Sequence, residues 1–353
     1  MYKTLKNNFM LVKEFKEYLL DSMLNILWKQ WSTVGLYSNL EQENKFLIDP
    51  ESLLCVSCLF GRFDQRLFDE VISWLSENGH LLNIDRLKNV LRLFVNSETN
   101  VLGAVAEYLV QKEQKRKWVR VVHFCEKKKK AEKIQNLFMT KNSVPVPVVG
   151  KCDPVFLRWG FRRNKVNLRN RIQKIDFERP CNLLLKLRSF FGVSARADIY
   201  AFLLFSEGDN SLQISQKVHF NQRNVYQVLN DLYKSGLVEK KNIGKRSLYT
   251  IDHSSWLNFF RIKIELSYII WAKVFSVLSY LYKNMIYQPE KFEDSYLASS
   301  EFRKISEKFI PEIETSGLRV QSSHLDKLTG ESYTPQFIDY VRNILHQLMD
   351  STS

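Results

Sequence analysis

Glycine and proline are scarce in this chain, 12 and 8 residues of 353. Folds built from many short strands need both residues at their turns, so the scarcity disfavours an all-β architecture and points to helices. Cysteine is sparse too. Cys55, Cys58, Cys125, Cys152 and Cys181 are odd in number and scattered, which suits reduced thiols in a cytoplasmic protein rather than a disulfide framework. The opening residues, MYKTLKNNFM, carry neither the apolar core nor the small-residue cleavage site of a secretory signal. Long uncharged runs are also missing. The most apolar stretch, LNFFRIKIELSYIIWAKVFSVLSYLYKNMI from Leu257, is broken by Arg261, Lys263, Glu265 and Lys273. A membrane span needs about 18–20 apolar residues, so a buried or dimer-forming helix near 257–287 is expected instead, with no membrane partner.

Catalytic signatures are absent as well. There is no Gly-rich phosphate loop, no GxSxG and no HExxH, nor the Gly-Ser turn and paired acids of a nucleotidyltransferase. Asp64, Asp69 and Glu70 are the nearest carboxylate cluster, but no histidine partners them; they are expected to face solvent around a helix start. Cys55 and Cys58 have metal-ligand spacing, and His123 with Cys125 could complete a set of four. One CxxC inside an apolar run is better read as two small buried thiols. The expectation is a protein that is not an enzyme and uses no metal or cofactor.

What the chain does have is positive charge, 52 Lys+Arg against 38 Asp+Glu, a net of +14 with a pI near 9.4. Such an excess favours polyanionic partners. It is local: residues 112–174 hold 19 Lys+Arg against Glu113, Glu126, Glu132 and Asp153, a net of +15, leaving −1 for the rest. The segment has two dense parts, KEQKRKWVRVVHFCEKKKKAEK and LRWGFRRNKVNLRNRIQK, the second interleaved with Trp159 and Phe161. Between them Pro145 and Pro147 imply an extended crossing. A sequence-blind surface for phosphates is expected here, the bland alternative being a solvated linker.

Periodicity divides the chain into N-terminal helices over 1–48, a helical domain over 49–111, the basic linker over 112–180, a helical segment with a hairpin over 181–252, and C-terminal helices over 253–353. Pro50 after Asp49, followed by Glu51, marks a helix start. Leu67, Val71, Trp74 and Leu75 form one core stripe, and Leu87, Val90 and Leu91 another; a small bundle is favoured slightly over a helix-turn-helix. Near the end, Phe337, Val341, Ile344, Leu345 and Leu348 have the spacing of packing or coiled pairing between subunits.

Residues 194–252 say most about function. SARADIYAFLLFSEG is a helix stopped by Gly208, and Ser211 is a candidate cap for a second helix, LQISQKV. After the turn HF, Asn221 can cap a third, QRNVYQVLNDLYKSG, ending at Gly236. LVEKKNIGKRSLYTI then reads as two strands around a tight turn, with a basic tip. At about 100° per residue, Val225, Val228, Leu229 and Leu232 face inward. Arg223, Gln227 and Asn230 face outward, flanked by Asn224 and Tyr226. Arginine can fork to guanine, and Gln or Asn can pair with adenine.

Helix, helix, turn, helix, hairpin is the order of a winged helix-turn-helix. The segment resembles the winged domains of MarR- and ArsR-type bacterial regulators. DPVFLRWGFRRN and NLLLKLRSFFGVSARADIYAFLL extend the likeness to a larger group of bacterial winged-helix proteins over most of 49–252. The resemblance implies a mainly α fold with a small β-wing, an N-terminal helical bundle and C-terminal helices. It also implies that the third helix enters the major groove of double-stranded DNA, N-terminal end nearest the bases. Ser211, Asn221 and Gln222 would then meet phosphates, and Lys240, Lys241, Lys245 and Arg246 would form the basic wing. The expected function is sequence-specific transcriptional regulation by a homodimer. The alternative is a protein-interaction or RNA-binding component of a bacterial defence or toxin–antitoxin system.

Overall fold

The first helix, α1 (Tyr2–Thr33), lays Phe15, Leu19, Met23 and Leu27 on one buried face. It belongs to a computed structural model that describes residues 2–37, 44–94, 98–129, 133–169, 171–244, 246–262, 266–322, 325, 328 and 330–350, with the backbone alone at 2–9. Helix makes up 64% of the structure and strand 7%, as the scarcity of turn formers implies. Next comes α2 (Pro50–Phe60), in which Asp49 accepts from the Ser52 amide and Pro50 takes the first turn, the expected start signal. All of α2 is buried. Around it pack α3 (Gln65–Asn78), α4 (Ile84–Leu91), α5 (Thr99–Gln111) and α6 (Val119–Glu126). Short strands β1 (Gln135–Asn136) and β2 (Phe161–Arg162) pair in parallel on either side of α7 (Pro154–Arg158).

A second core is built from α8 (Leu183–Phe191), α9 (Ala195–Leu203), α10 (Ser211–Val218), α11 (Gln222–Lys234), the antiparallel hairpin β3 (Glu239–Ile243) and β4 (Arg246–Thr250), and α12 (His253–Phe260). The chain then returns to the first core through α13 (Trp271–Tyr287), α14 (Ser295–Glu314) and α15 (Tyr333–Met349). That core runs from Val12 to Leu348, so the segments read as 1–48, 49–111 and 253–353 share one interior.

Several expectations change at this point. The apolar stretch from Leu257 is not one helix: α12 stops at Arg261, which takes the left-handed conformation (φ 55°), and α13 starts at Trp271. Among the described residues no helix is long and apolar enough to cross a membrane. The stripe of Phe337, Val341, Ile344, Leu345 and Leu348 is buried against α1 and α14 of the same chain, which leaves none of it for pairing between subunits. Asp64, Asp69 and Glu70 do not face solvent as a set. Asp64 caps α3 and accepts from the Trp28 indole at 2.8 Å, Asp69 pairs with Arg163 at 2.7 Å, and Glu70 is buried. Burial raises the Asp69 pKa even so.

Among the described residues, the second dense basic part of the 112–174 segment keeps six of its seven cations exposed and sends Trp159, Phe161 and Arg163 inside. Trp159 is buried with its indole donating to Glu107 at 2.5 Å, and Phe161 is buried under the Arg62 guanidinium. Arg163 is fully enclosed among Phe68, Phe138 and Phe156, and Arg158 pairs with Glu107 and Glu126. These aromatic side chains pack a core; they are not exposed stacking platforms. Arg163 alone of that stretch's described cations stacks on buried rings, while Trp159 and Phe161 meet Lys129 and Arg62 from other parts of the chain.

Candidate functional site

The sequence-predicted site residues lie on α10, α11 and the β3–β4 hairpin. Gly208, at φ +98°, lets the chain leaving α9 cross β4 closely, since a Cβ there would fall 2.6 Å from the Tyr249 carbonyl oxygen. Asp209 and Tyr249 then exchange backbone hydrogen bonds, joining this crossing to the hairpin. The cap of α10 is Asn210, whose side-chain oxygen accepts from the Leu212 and Gln213 amides. Ser211 was the expected cap but takes the first helical position instead. Both residue types cap well, and spacing alone does not separate neighbours.

Two residues make the reversal between α10 and α11. His219 adopts the left-handed conformation at φ 59°, and Asn221 caps α11 by accepting from the Arg223 amide at 2.9 Å. The faces of α11 fall where the 3.6-residue period puts them. Val225, Leu229 and Leu232 are buried and Val228 is half-buried, while Asn221, Gln222, Arg223, Asn224, Tyr226 and Gln227 are exposed. Asn230 is half-buried at the edge of that outward face, and Asp231 lies exposed in its C-terminal half. The outward face is therefore cationic and amide-rich at its N-terminal end.

The hairpin stands beside it. Lys241 and Arg246 are exposed, and Lys240 is half-buried with its ammonium 5.8 Å from the Tyr249 ring and 5.9 Å from the Tyr233 ring. Lys245, predicted for the tip, lies outside the described residues. Ser211, Gln222, Tyr226, Lys240, Arg246 and Tyr249 line a groove of about 440 Å³ between the N-termini of the two helices and the hairpin. Eight Lys/Arg face six acids over 194–252, but Asp198 is buried and Asp209 is held by Lys217 at 2.8 Å. Lys241 in turn lies 3.7 Å from Glu239, which leaves Arg223, Lys240 and Arg246, among the described residues, as the cations around the groove.

A buried ionic network fixes this unit to the first core, and the sequence reading did not find it. Arg86 of α4 donates to Asp49 at 2.6 and 2.8 Å, to Glu51 at 2.6 Å, and to the Val218 carbonyl at 3.0 Å. Arg188 of α8 donates to Glu51 and to Asp198. Beside them the Asn89 amide donates to the His219 carbonyl at 3.0 Å. The turn between α10 and α11 is thus held by α4. Burial alone would favour a neutral Asp49, but the Arg86 guanidinium outweighs it and holds that carboxyl well below the usual range. Burial, reinforced by the Arg86 charge, pushes His219 down to about 3, so its imidazole is neutral. A faint signal existed: Arg86 shares the helical face of Val90, and Arg188 that of Leu184, positions where a cation needs a buried partner.

The Cys55, Cys58, His123 and Cys125 set does not converge. The three thiols are buried and His123 points outward. Burial pushes the Cys125 thiol up to about 12, the environment of an inert core cysteine. The chain matches no protein-family model, no curated protein and no solved structure, so a functional reading rests on its own geometry.

Proposed function

We propose that this chain is a cytoplasmic DNA-binding regulator in which α9, α10, α11 and the hairpin act as a winged helix-turn-helix. The observation that carries the reading is the division of α11. One row of its side chains is fully enclosed, and the opposite row, Arg223, Tyr226 and Gln227 with Asn230 at its edge, is open along its length. Nothing in the fold requires that row to be Arg, Gln and Asn, and those side chains match base edges in a major groove. Lys240, Lys241 and Arg246 stand where a backbone running past α11 would meet them, and the groove beside Ser211 and Gln222 suits a phosphate. A homodimer would place two such helices on two half-sites. With the C-terminal stripe enclosed, the exposed ring pair of Phe190 and Phe259, 5.8 Å apart on α8 and α12, is one apolar surface open for pairing.

The experiment is selection of bound fragments from random duplex DNA, repeated with Arg223→Ala combined with Gln227→Ala. The wild type should enrich a motif. The variant should keep its fold and lose roughly 10- to 100-fold of the preference per base pair read, as loss of a bidentate contact implies. Failure of the wild type to enrich any motif would refute the reading. The same ring pair favours a second reading, docking of a protein on this unit. It predicts that Phe190→Ser with Phe259→Ser abolishes partner capture while the α11 double variant leaves capture intact.

A further inference from the structure

We propose, on that reading of α11, that the outward side of α6 and the turn before it is a second phosphate-contact surface for the same duplex. Arg120 and His123 on α6, Arg116 on the 3-10 turn leading into it and Lys127 at its C-cap are all exposed. The opposite side, Trp118, Val121 and Cys125, is buried. This is the pattern of a helix turned outward with one chemistry along it. Over 112–129 eight Lys/Arg accompany two acids, Glu113 and Glu126. Both acids are engaged by the body, Glu113 by the Ser76 hydroxyl and Glu126 by Arg158.

The place of α6 relative to α11 is set by α4. On one side, Arg120 pairs with Asp85 at 2.6 Å and the Arg92 guanidinium lies over the Phe124 ring at 5.6 Å. On the other, Asn89 holds the His219 carbonyl immediately before α11. Asp85, Lys88, Asn89 and Arg92 form the ridge between them, and Asp85 is shared by Lys88 and Arg120. Releasing Arg120 from an exposed pair of this kind costs little, about 0–1 kcal/mol, so a phosphate can take it. On this proposal a duplex engaged by Arg223 and Gln227 passes α4 and meets these cations as well. Charge complementarity names the occupant: Arg116, Arg120 and Lys127, with Lys128 and Lys129 beside them, are exposed cations that fit a polyanion.

The test uses the full chain carrying Arg116→Gln, Arg120→Gln and Lys127→Gln, all at exposed positions. Its affinity for a random-sequence duplex is measured against KCl concentration, and its footprint on a selected fragment is mapped. Loss of three phosphate contacts should reduce the slope of log K against log salt by about 2.7. The footprint should shorten on one side, and the selected motif should stay the same. An unchanged slope with an unchanged footprint overturns the proposal. Run beside it, the Arg223→Ala, Gln227→Ala variant separates the two ideas. If it loses the motif while the α6 variant changes nothing, only the α6 surface falls. If the wild type engages no duplex, both fall. A slope that depends on α6 only with hairpin RNA or anionic vesicles would overturn the commitment to duplex DNA.

Discussion

His219 sits where the proposed reading head meets the body, with its carbonyl held by Asn89 and its Nε2 enclosed without a partner. Its left-handed backbone is open to Asn at small cost. The folded state holds its pKa near 3, against about 6.5 in an unfolded chain. Below about pH 6.5 the unfolded state therefore binds the proton first, and stability falls as pH falls. Each unit amounts to about 1.4 kcal/mol at most. His219→Asn keeps the turn and removes that dependence. Urea titrations at pH 7 and pH 5 should show the wild type losing up to about 2 kcal/mol more than the variant over that interval. Parallel losses in the two proteins would mean that the imidazole is not kept neutral by the fold. The outward and inward rows of α11 were legible in the sequence because a helix period is local. The partners of Glu51 were not, since Arg86 lies 35 residues away and Arg188 lies 137 away, and no pattern within one helix encodes such a pairing.

At the scale of elements, the hairpin depends on one close approach. Gly208 carries a positive φ, and a Cβ there would meet Thr250 Cγ2 at 2.3 Å and the Tyr249 carbonyl at 2.6 Å. Gly208→Ala must push β4 away from the loop entering α10, breaking the Asp209–Tyr249 pair of backbone bonds. We expect a destabilisation of about 1–3 kcal/mol together with a weaker salt dependence of duplex binding, as the hairpin cations leave the groove. Calorimetry and a salt titration check this; a variant with unchanged melting and unchanged salt slope would show that the hairpin does not need the contact. Helix boundaries near caps were readable, as at Asp49, Pro50 and Asn221. The use of an amphipathic stripe was not. In α15 the same spacing that could zip two subunits closes on α1, because a heptad-like row records only that something apolar covers it.

Over the whole molecule, two cores are joined by buried charge rather than by a flexible linker. Breaking such a network by removing one partner is costly, about 3–5 kcal/mol, so α11 is presented by the body as part of one framework. The basic segment over 112–174 was visible as charge, but the burial of Trp159, Phe161 and Arg163 within it, while the cations around them stay exposed, depends on long-range packing that charge counts do not contain. The most direct measurement places a photo-crosslinking side chain in place of Gln227, with a second at Asn258 on α12 as reference, and irradiates each with the selected duplex. The account predicts an adduct between position 227 and a base, strong relative to position 258 and abolished by unlabelled specific competitor. Equal capture at the two positions, or none at 227 while the duplex is bound, would contradict it.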